Sequence, residues 1–210
     1  MIVTVSRQIG AGGSEIASRV AAALGFRLVD NELIDRVALQ AGLSRTQVAN
    51  REERAPGFLE RLVRALSRSV PELQSAPADR PPEPEEKSLV AATERVVADL
   101  AGEGRVVLVG RAASAVLSGT HDALHVKIVA PVLFRIARIR EADGVDEREA
   151  ERRLRESDAN RARYHRHHYG RDWSDPANYH MVLNTGSLGI DGATDLIVVQ
   201  ARAMWVSGKR

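Results

Sequence analysis

The sequence predicts an α/β domain in which a parallel sheet is covered by helices on both faces. Two observations carry this. Short β-branched runs alternate with stretches of helical apolar spacing, and most of those runs are apolar at every position rather than at every second one. A third observation says where such a sheet would bind. Polar and glycine residues gather after the first three runs, at Ser6 to Ser14, Asp30 to Arg36 and Gly110 to Arg111, and open parallel sheets take ligands beyond the carboxyl ends of their strands.

The elements follow in order. Ile2 to Val5 is the first run, ending at Ser6, and after Gly10, Gly12 and Gly13 the residues Ile16, Ala17, Val20 and Leu24 recur at helical spacing. This reads as strand, glycine loop, helix. Gly25 stands where a helix C-terminus takes a left-handed residue, and Phe26 to Val29 is the second strand. Asp30 or Asn31 caps a helix with the apolar face Leu33, Ile34, Val37, Ala38 and Ala41, and Ser44 with Gln47 forms a capping box for another.

Residues 43–88 read as a helical insertion. Within 55–87, Phe58, Leu59, Leu62, Val63 and Leu66 mark an amphipathic helix, and Pro71 to Pro84 carries five prolines in an extended linker. Leu89, Val96, Val97 and Leu100 restore helical periodicity. Arg105 to Val109 is the third strand, running into Gly110 and Arg111; His125 to Val129 is the fourth, and Pro131 opens a helix bearing Arg135, Arg138 and Arg140. Asp146 with Glu149 caps a long arginine-rich helix reaching about His168, Met181 to Leu183 is the fifth strand, and Leu196, Ile197 and Trp205 lie on the closing helix. No internal repeat is visible.

Composition excludes several classes of function. The 210 residues are 44% hydrophobic and 28% charged, ordinary values for a globular chain and far from those of disordered or collagen-like sequences. There is no cysteine, so thiol nucleophiles, disulfides and zinc-thiolate sites are absent. No run of about 18 apolar residues exists, and Arg7 follows the N-terminal apolar stretch too early for a signal-peptide core, so a cytoplasmic location and no membrane partner are expected. The net charge is +2, from 30 basic and 28 acidic residues, which does not point to nucleic acid. The kind of cation is more telling. Lys87, Lys127 and Lys209 are the only lysines; the other 27 basic residues are arginine, the planar fork that suits phosphate and carboxylate.

A glycine loop between a first strand and a first helix brings main-chain N–H groups and a helix N-terminus to bear on an anion. The pattern G-x-x-x-x-G-K-[ST] would fall on Arg7 through Ser14, with Arg7 at the first glycine and Gly13 at the lysine. His165, His167 and His168 lack a carboxylate at ligand spacing and read as solvated residues. Tyr164, Tyr169, Trp173 and Tyr179, set among arginines, read as packing within this region or between copies in a homo-oligomer. No Ser-His-Asp order appears.

Four stretches, VTVSRQIGAGGSEIA, LGFRLVDNELIDR, VVLVGRAASAVL and DANRARYHRHHYGRDWSDPANYHMVLNT, resemble in order the cytidylate kinase-like family, a divergent branch of the P-loop nucleoside monophosphate kinases. The resemblance spans nearly the whole chain outside the insertion. It implies a P-loop NTPase-like three-layer sandwich with a five-stranded parallel sheet in order 2-3-1-4-5. One domain would cover 1–210, with the monophosphate-binding insertion at 43–88 and an arginine-rich lid at 140–180. It also implies ATP and Mg²⁺ as cofactors and a nucleotide as substrate.

Residue by residue, the resemblance gives Gly10, Ala11, Gly12, Gly13 and Ser14 to the phosphates, with the Ser14 hydroxyl on Mg²⁺. Gly13 departs from the family of true kinases at the lysine, so an arginine must supply that charge, and Arg7 is the candidate. Asp30, Arg36 and Arg111 fall on the acceptor side, the two arginines as a phosphate clamp, while Val109 stands where the true kinases carry an acid. Arg135 and Arg138 match arginines that face the triphosphate, and Arg161 joins them over the transferring group. The positions that read the base align with Ser157, Arg161 and Tyr164, whose chemistry has changed, so cytosine specificity does not carry over. Two functions compete: an ATP-dependent phosphotransferase of the nucleoside monophosphate kinase type, and a nucleotide-binding sensor or regulatory module without turnover. A nucleic-acid binder is weakest, because acidic residues from Glu141 to Asp158 dilute the charge of the arginine-rich helix.

Overall fold

The computed structural model describes residues 1–30, 83–110 and 112–207. The helices expected after Asp30, most of the insertion, Arg36 and Arg111 lie outside the described residues. The chain divides into two compact units, one of Met1–Asp30 with Leu100–Arg210 and one of Asn31–Asp99. The sheet and the residues discussed below belong to the first.

Five strands, β1 (Ile2–Arg7), β2 (Arg27–Val29), β3 (Val106–Val109), β4 (Ala123–Val129) and β5 (Met181–Asn184), form one sheet in the order β2-β3-β1-β4-β5. Every pairing is parallel. This is the order the family resemblance implies. Between the strands run α1 (Gly13–Leu24), α2 (Glu83–Glu103), a single turn α3 (Ala113–Val116), α4 (Val132–Asp143) and α5 (Glu147–Tyr169), and after β5 comes α6 (Thr185–Ser207), kinked at Gly189. Among the described residues no helix is long and apolar enough to cross a membrane.

Local chemistry sets the boundaries. Gly25 ends α1 in the left-handed region at φ 64°, returning its N–H to the carbonyls of Ala21 and Ala22. The Asp146 carboxylate accepts from the Glu149 N–H at 2.8 Å and starts α5. Two expectations shift. β1 runs on to Arg7, which pairs with Ile128, so Arg7 closes a strand and does not belong to the loop. α2 begins at Glu83 with Pro84 in its first turn, where a missing N–H costs nothing, so 83–88 is helix rather than extended linker.

The two faces of the sheet are packed differently. On one, Val3, Val5, Val107, Val109, Leu124, Val126 and Ile128 meet Ile16, Ala17 and Val20 of α1 and Ala193, Ile197 and Ala201 of α6 in a continuous apolar core. The residues of alternate parity on β1 and β4, Thr4, Ser6, His125 and Lys127, are polar and equally buried. They are covered by the segment after α5. A smaller apolar cluster, Ile136 and Ile139 of α4 with Ala150 and Leu154 of α5, joins the two arginine-rich helices, and Ile9 packs against it.

Candidate functional site

The glycine loop is a tight, heavily fastened turn at the carboxyl end of β1. Gly10 (φ 74°) and Gly12 (φ 80°) are both left-handed, a conformation that side-chain-bearing residues resist. A Cβ at Gly10 would meet the main chain of Arg135, and one at Gly12 the side chain of Ile190. The Gln8 N–H donates to the Ile128 carbonyl at 3.0 Å, its Oε1 accepts from the Ala130 N–H at 3.1 Å, and the Thr185 hydroxyl donates to the Ala11 carbonyl at 2.8 Å. Held this way from β4 and α6, the loop delivers Gly12 as N-cap of α1, whose free amides and dipole favour an anion.

Arg7 occupies the space that Gly13 leaves. A Cβ at Gly13 would collide with the Cβ and Cγ of Arg7, and one at Gly110 with the Arg7 guanidinium. Gly13 stands at the lysine position of the loop pattern, so the lost side chain and the arginine stem trade places. The guanidinium lies 3.7 Å from Asp30, and the Ser14 hydroxyl, exposed at the head of α1, lies 3.5 Å from the same carboxylate. A hydroxyl and a carboxylate so placed are the hard oxygen donors that Mg²⁺ takes beside phosphate oxygens and water. Among the described residues no cluster of three or more carboxylates and imidazoles provides a metal site without such help.

Of the arginines on α4 and α5, Arg138 is at the loop mouth, near Gly12, and pairs with Glu15 at 3.2 Å. Arg135 is turned inward, in contrast to the place facing a triphosphate that the resemblance implies. It is 2% exposed, its Nε donates to the Ile9 carbonyl at 2.7 Å, and its Nη2 donates to Asp158 at 2.5 Å. Arg161 donates to the Ser157 hydroxyl at 2.6 Å and lies 3.5 Å from Asp158. The structure thus brings Arg7, Ser14 and Asp30 together on one side of the loop, and Arg135, Arg161 and Asp158 on the other.

The polar face of the sheet holds groups that sequence reasoning missed. His125 is buried; its Nε2–H donates to the Leu117 carbonyl at 3.2 Å, so Nδ1 is the nitrogen that accepts from the Thr4 hydroxyl at 2.8 Å. Burial, with His180 stacked at 5.0 Å and Arg171 nearby, pushes its pKa down to about 4. His165 is buried too, and not solvated as its spacing on an arginine-rich helix suggests; burial and the nearby Lys127 and Arg171 bring it to about 4. Lys127, 3% exposed, donates from Nζ to the Trp173 carbonyl and lies 3.9 Å from the centroid of the Trp173 ring. Burial lowers its pKa to about 8 against the pull of Asp158 and Asp172. The Trp173 Nε1–H donates to the Ser6 hydroxyl at 2.9 Å. A lysine inside the apolar run His125 to Val129 was the one signal available for this cluster.

With this geometry in hand, the profile of the cytidylate kinase-like family matches residues 2–187. The chain belongs to the cytidylate kinase-like family. A cytidylate kinase from Methanopyrus kandleri is 34% identical over 97 residues, which is 41% of this chain and 49% of that protein, so the match spans about half the length of the relative. Among solved structures, an uncharacterized protein from Eubacterium ventriosum superposes with a TM-score of 0.69 at 21% identity, over 96% of this chain and 98% of that one. A shikimate kinase from Bacteroides thetaiotaomicron superposes with a TM-score of 0.52 at 12% identity, over the same shares of the two chains. At such identities the structural likeness speaks for the fold, a parallel five-stranded sheet in order 2-3-1-4-5 shared with a phosphotransferase.

Proposed function

We propose that this member of the cytidylate kinase-like family is a cytoplasmic phosphotransferase that moves the terminal phosphoryl group of ATP to a nucleoside monophosphate. The observation that carries the reading is the exchange at the loop: Arg7 fills the room left by Gly13, so a cation stands beside the N-terminus of α1 although the loop has no lysine. An acceptor phosphate oxygen forms the new bond to the γ-phosphorus as the bond to the β–γ bridging oxygen breaks and ADP leaves. Such chemistry asks of the protein only positioning and charge neutralisation.

The loop amides at Gly10 to Ser14 would hold the donor phosphates, and Ser14 with Asp30 beside it would hold Mg²⁺, which when bound screens the phosphate charge. Arg7 and Arg138 border the loop mouth, Arg135 shapes the loop through Ile9, and Arg161 approaches from α5. Arg36 and Arg111 are the proposed clamp on the acceptor.

The second reading, a nucleotide sensor without turnover, is favoured by Gly13 and by Val109, an apolar buried residue where the true kinases carry an acid. One experiment separates the two. The protein is incubated with ATP, Mg²⁺ and each nucleoside monophosphate in turn; ADP formed with one acceptor supports the enzyme, and stabilisation by ATP with no product supports the sensor. In the active protein, Arg7→Ala lowers kcat by about 10³-fold, the scale of losing a transition-state arginine. Unchanged turnover in that variant removes Arg7 from the mechanism.

A further inference from the structure

The proposed reaction makes no use of Lys127, although a buried ammonium is costly and persists only when the surrounding structure compensates it. Its surroundings connect three parts of the fold. The ammonium meets the Trp173 carbonyl and the face of the Trp173 ring, and the Tyr179 hydroxyl donates to the same carbonyl at 3.0 Å. The Trp173 indole donates to Ser6, the residue before Arg7 on β1. On the α5 side Asp158 exerts an attraction on Lys127 while its Oδ2 accepts from Arg135, whose Nε holds the Ile9 carbonyl. The second Asp158 oxygen, Oδ1, is buried and accepts no hydrogen bond. Arg161 stands 3.5 Å from it, beside the Arg135 pair on the other oxygen.

We propose that Lys127 is a positioning residue for the phosphate loop: its ammonium holds Trp173 on the sheet, and the Trp173 indole holds Ser6 at the end of β1, from which the loop springs. The apolar contact of Ile9 with the α4 and α5 cluster runs in parallel and keeps the loop and the arginine-rich helices as one mechanical unit. The lysine sits on the far side of the sheet from Arg7, so it acts through other side chains. The inference rests on the loop being the phosphate site. It gives the buried lysine of this chain a part in the same reaction.

The test reads the free protein, by amide hydrogen exchange, before any nucleotide is added. In Lys127→Met the amides of residues 8–14 exchange about tenfold faster, whereas those of β3 are unchanged, a local opening rather than a global loss. Trp173→Phe, which keeps a ring beside the ammonium and removes the donor to Ser6, gives the same pattern, and the double variant opens the loop no further than either single one, because both act in one chain of contacts. Lys127→Arg keeps the charge and keeps the loop closed.

The titratable groups near the ammonium are Asp158 and His165 from α5 and Asp172 and Tyr179 from the segment after it, with Arg171 beside His165 and Tyr179. Above about pH 8 the lysine of the wild type loses its proton. Its loop exchange, corrected for the intrinsic rate, then moves to the Lys127→Met value, and Lys127→Arg does not follow. Simple packing would give no such pH dependence. An unmoved loop in Lys127→Met, or a rise spread equally over β3, overturns the proposal; should that variant not fold, Trp173→Phe against Lys127→Arg decides. Absence of turnover in the wild type defeats the phosphotransfer reading alone, and an unmoved loop in an active enzyme defeats this inference alone.

Discussion

The two faces of the central sheet use the same strands to opposite ends. Against α1 and α6, Val3, Val5, Leu124 and Val126 present hydrocarbon, which is indifferent to pH and to partners. One residue along in each strand, Thr4, Ser6, His125 and Lys127 are just as buried but depend on hydrogen bonds and on holding particular protonation states. The first face fixes the shape of the domain. The second ties that shape to the charge on a few side chains, and it is the face that carries the segment following the arginine-rich helix.

The largest expected effect breaks the first face. Ile197→Ala deletes a fully buried side chain between α6 and the sheet and costs about 2–5 kcal/mol of unfolding free energy, equally at pH 5 and pH 8. Denaturant melts at the two pH values check this. A clear pH dependence of that loss would show that the apolar face is not independent of the polar one.

Acid sharpens the contrast. His125 and His165 bind protons near pH 6.5 when unfolded and only near pH 4 when folded, so the unfolded state binds more protons between those values. Their contribution is complete above about pH 6.5 and is lost as pH falls toward 4, on the order of 3 kcal/mol for each imidazole. His165→Phe removes its share of the slope, visible as a smaller difference between the stabilities at pH 7.5 and pH 5. The smallest effect belongs outside both faces: Arg152, exposed between Glu149 and Glu156 on α5, can be replaced by Ala without a measurable change in melting temperature.

This contrast also explains what was legible in the sequence. The apolar face announces itself, because Ile16, Val20, Ile197 and the β-branched strands repeat at the periods of helix and strand. Caps were equally plain at Gly25 and Asp146, where one residue type has one local job. The glycine loop was found by its spacing, and Arg7 as its cation by elimination, since no lysine lies nearby. That Arg7 is the last paired residue of β1 was not foreseen, because pattern reading ended the strand one residue before it.

The polar face was unreadable for a physical reason. Lys127 lies 31 residues before Asp158 and 46 before Trp173, and no period links them. His165 and His168 share a helical spacing, yet one is buried and the other half-exposed, a difference set by what α5 lies against. Arg135 and Asp158 could each be named in the sequence, but their pairing is tertiary.

A cation carried by a flexible loop can travel with the substrate as the loop closes. Arg7 instead grows from a residue hydrogen-bonded into the middle of the sheet, leaning into the notch at Gly110, so its anchor is as fixed as the strand register itself. It behaves as a mooring post. In the proposed reaction the nucleotide comes to the arginine, not the arginine to the nucleotide.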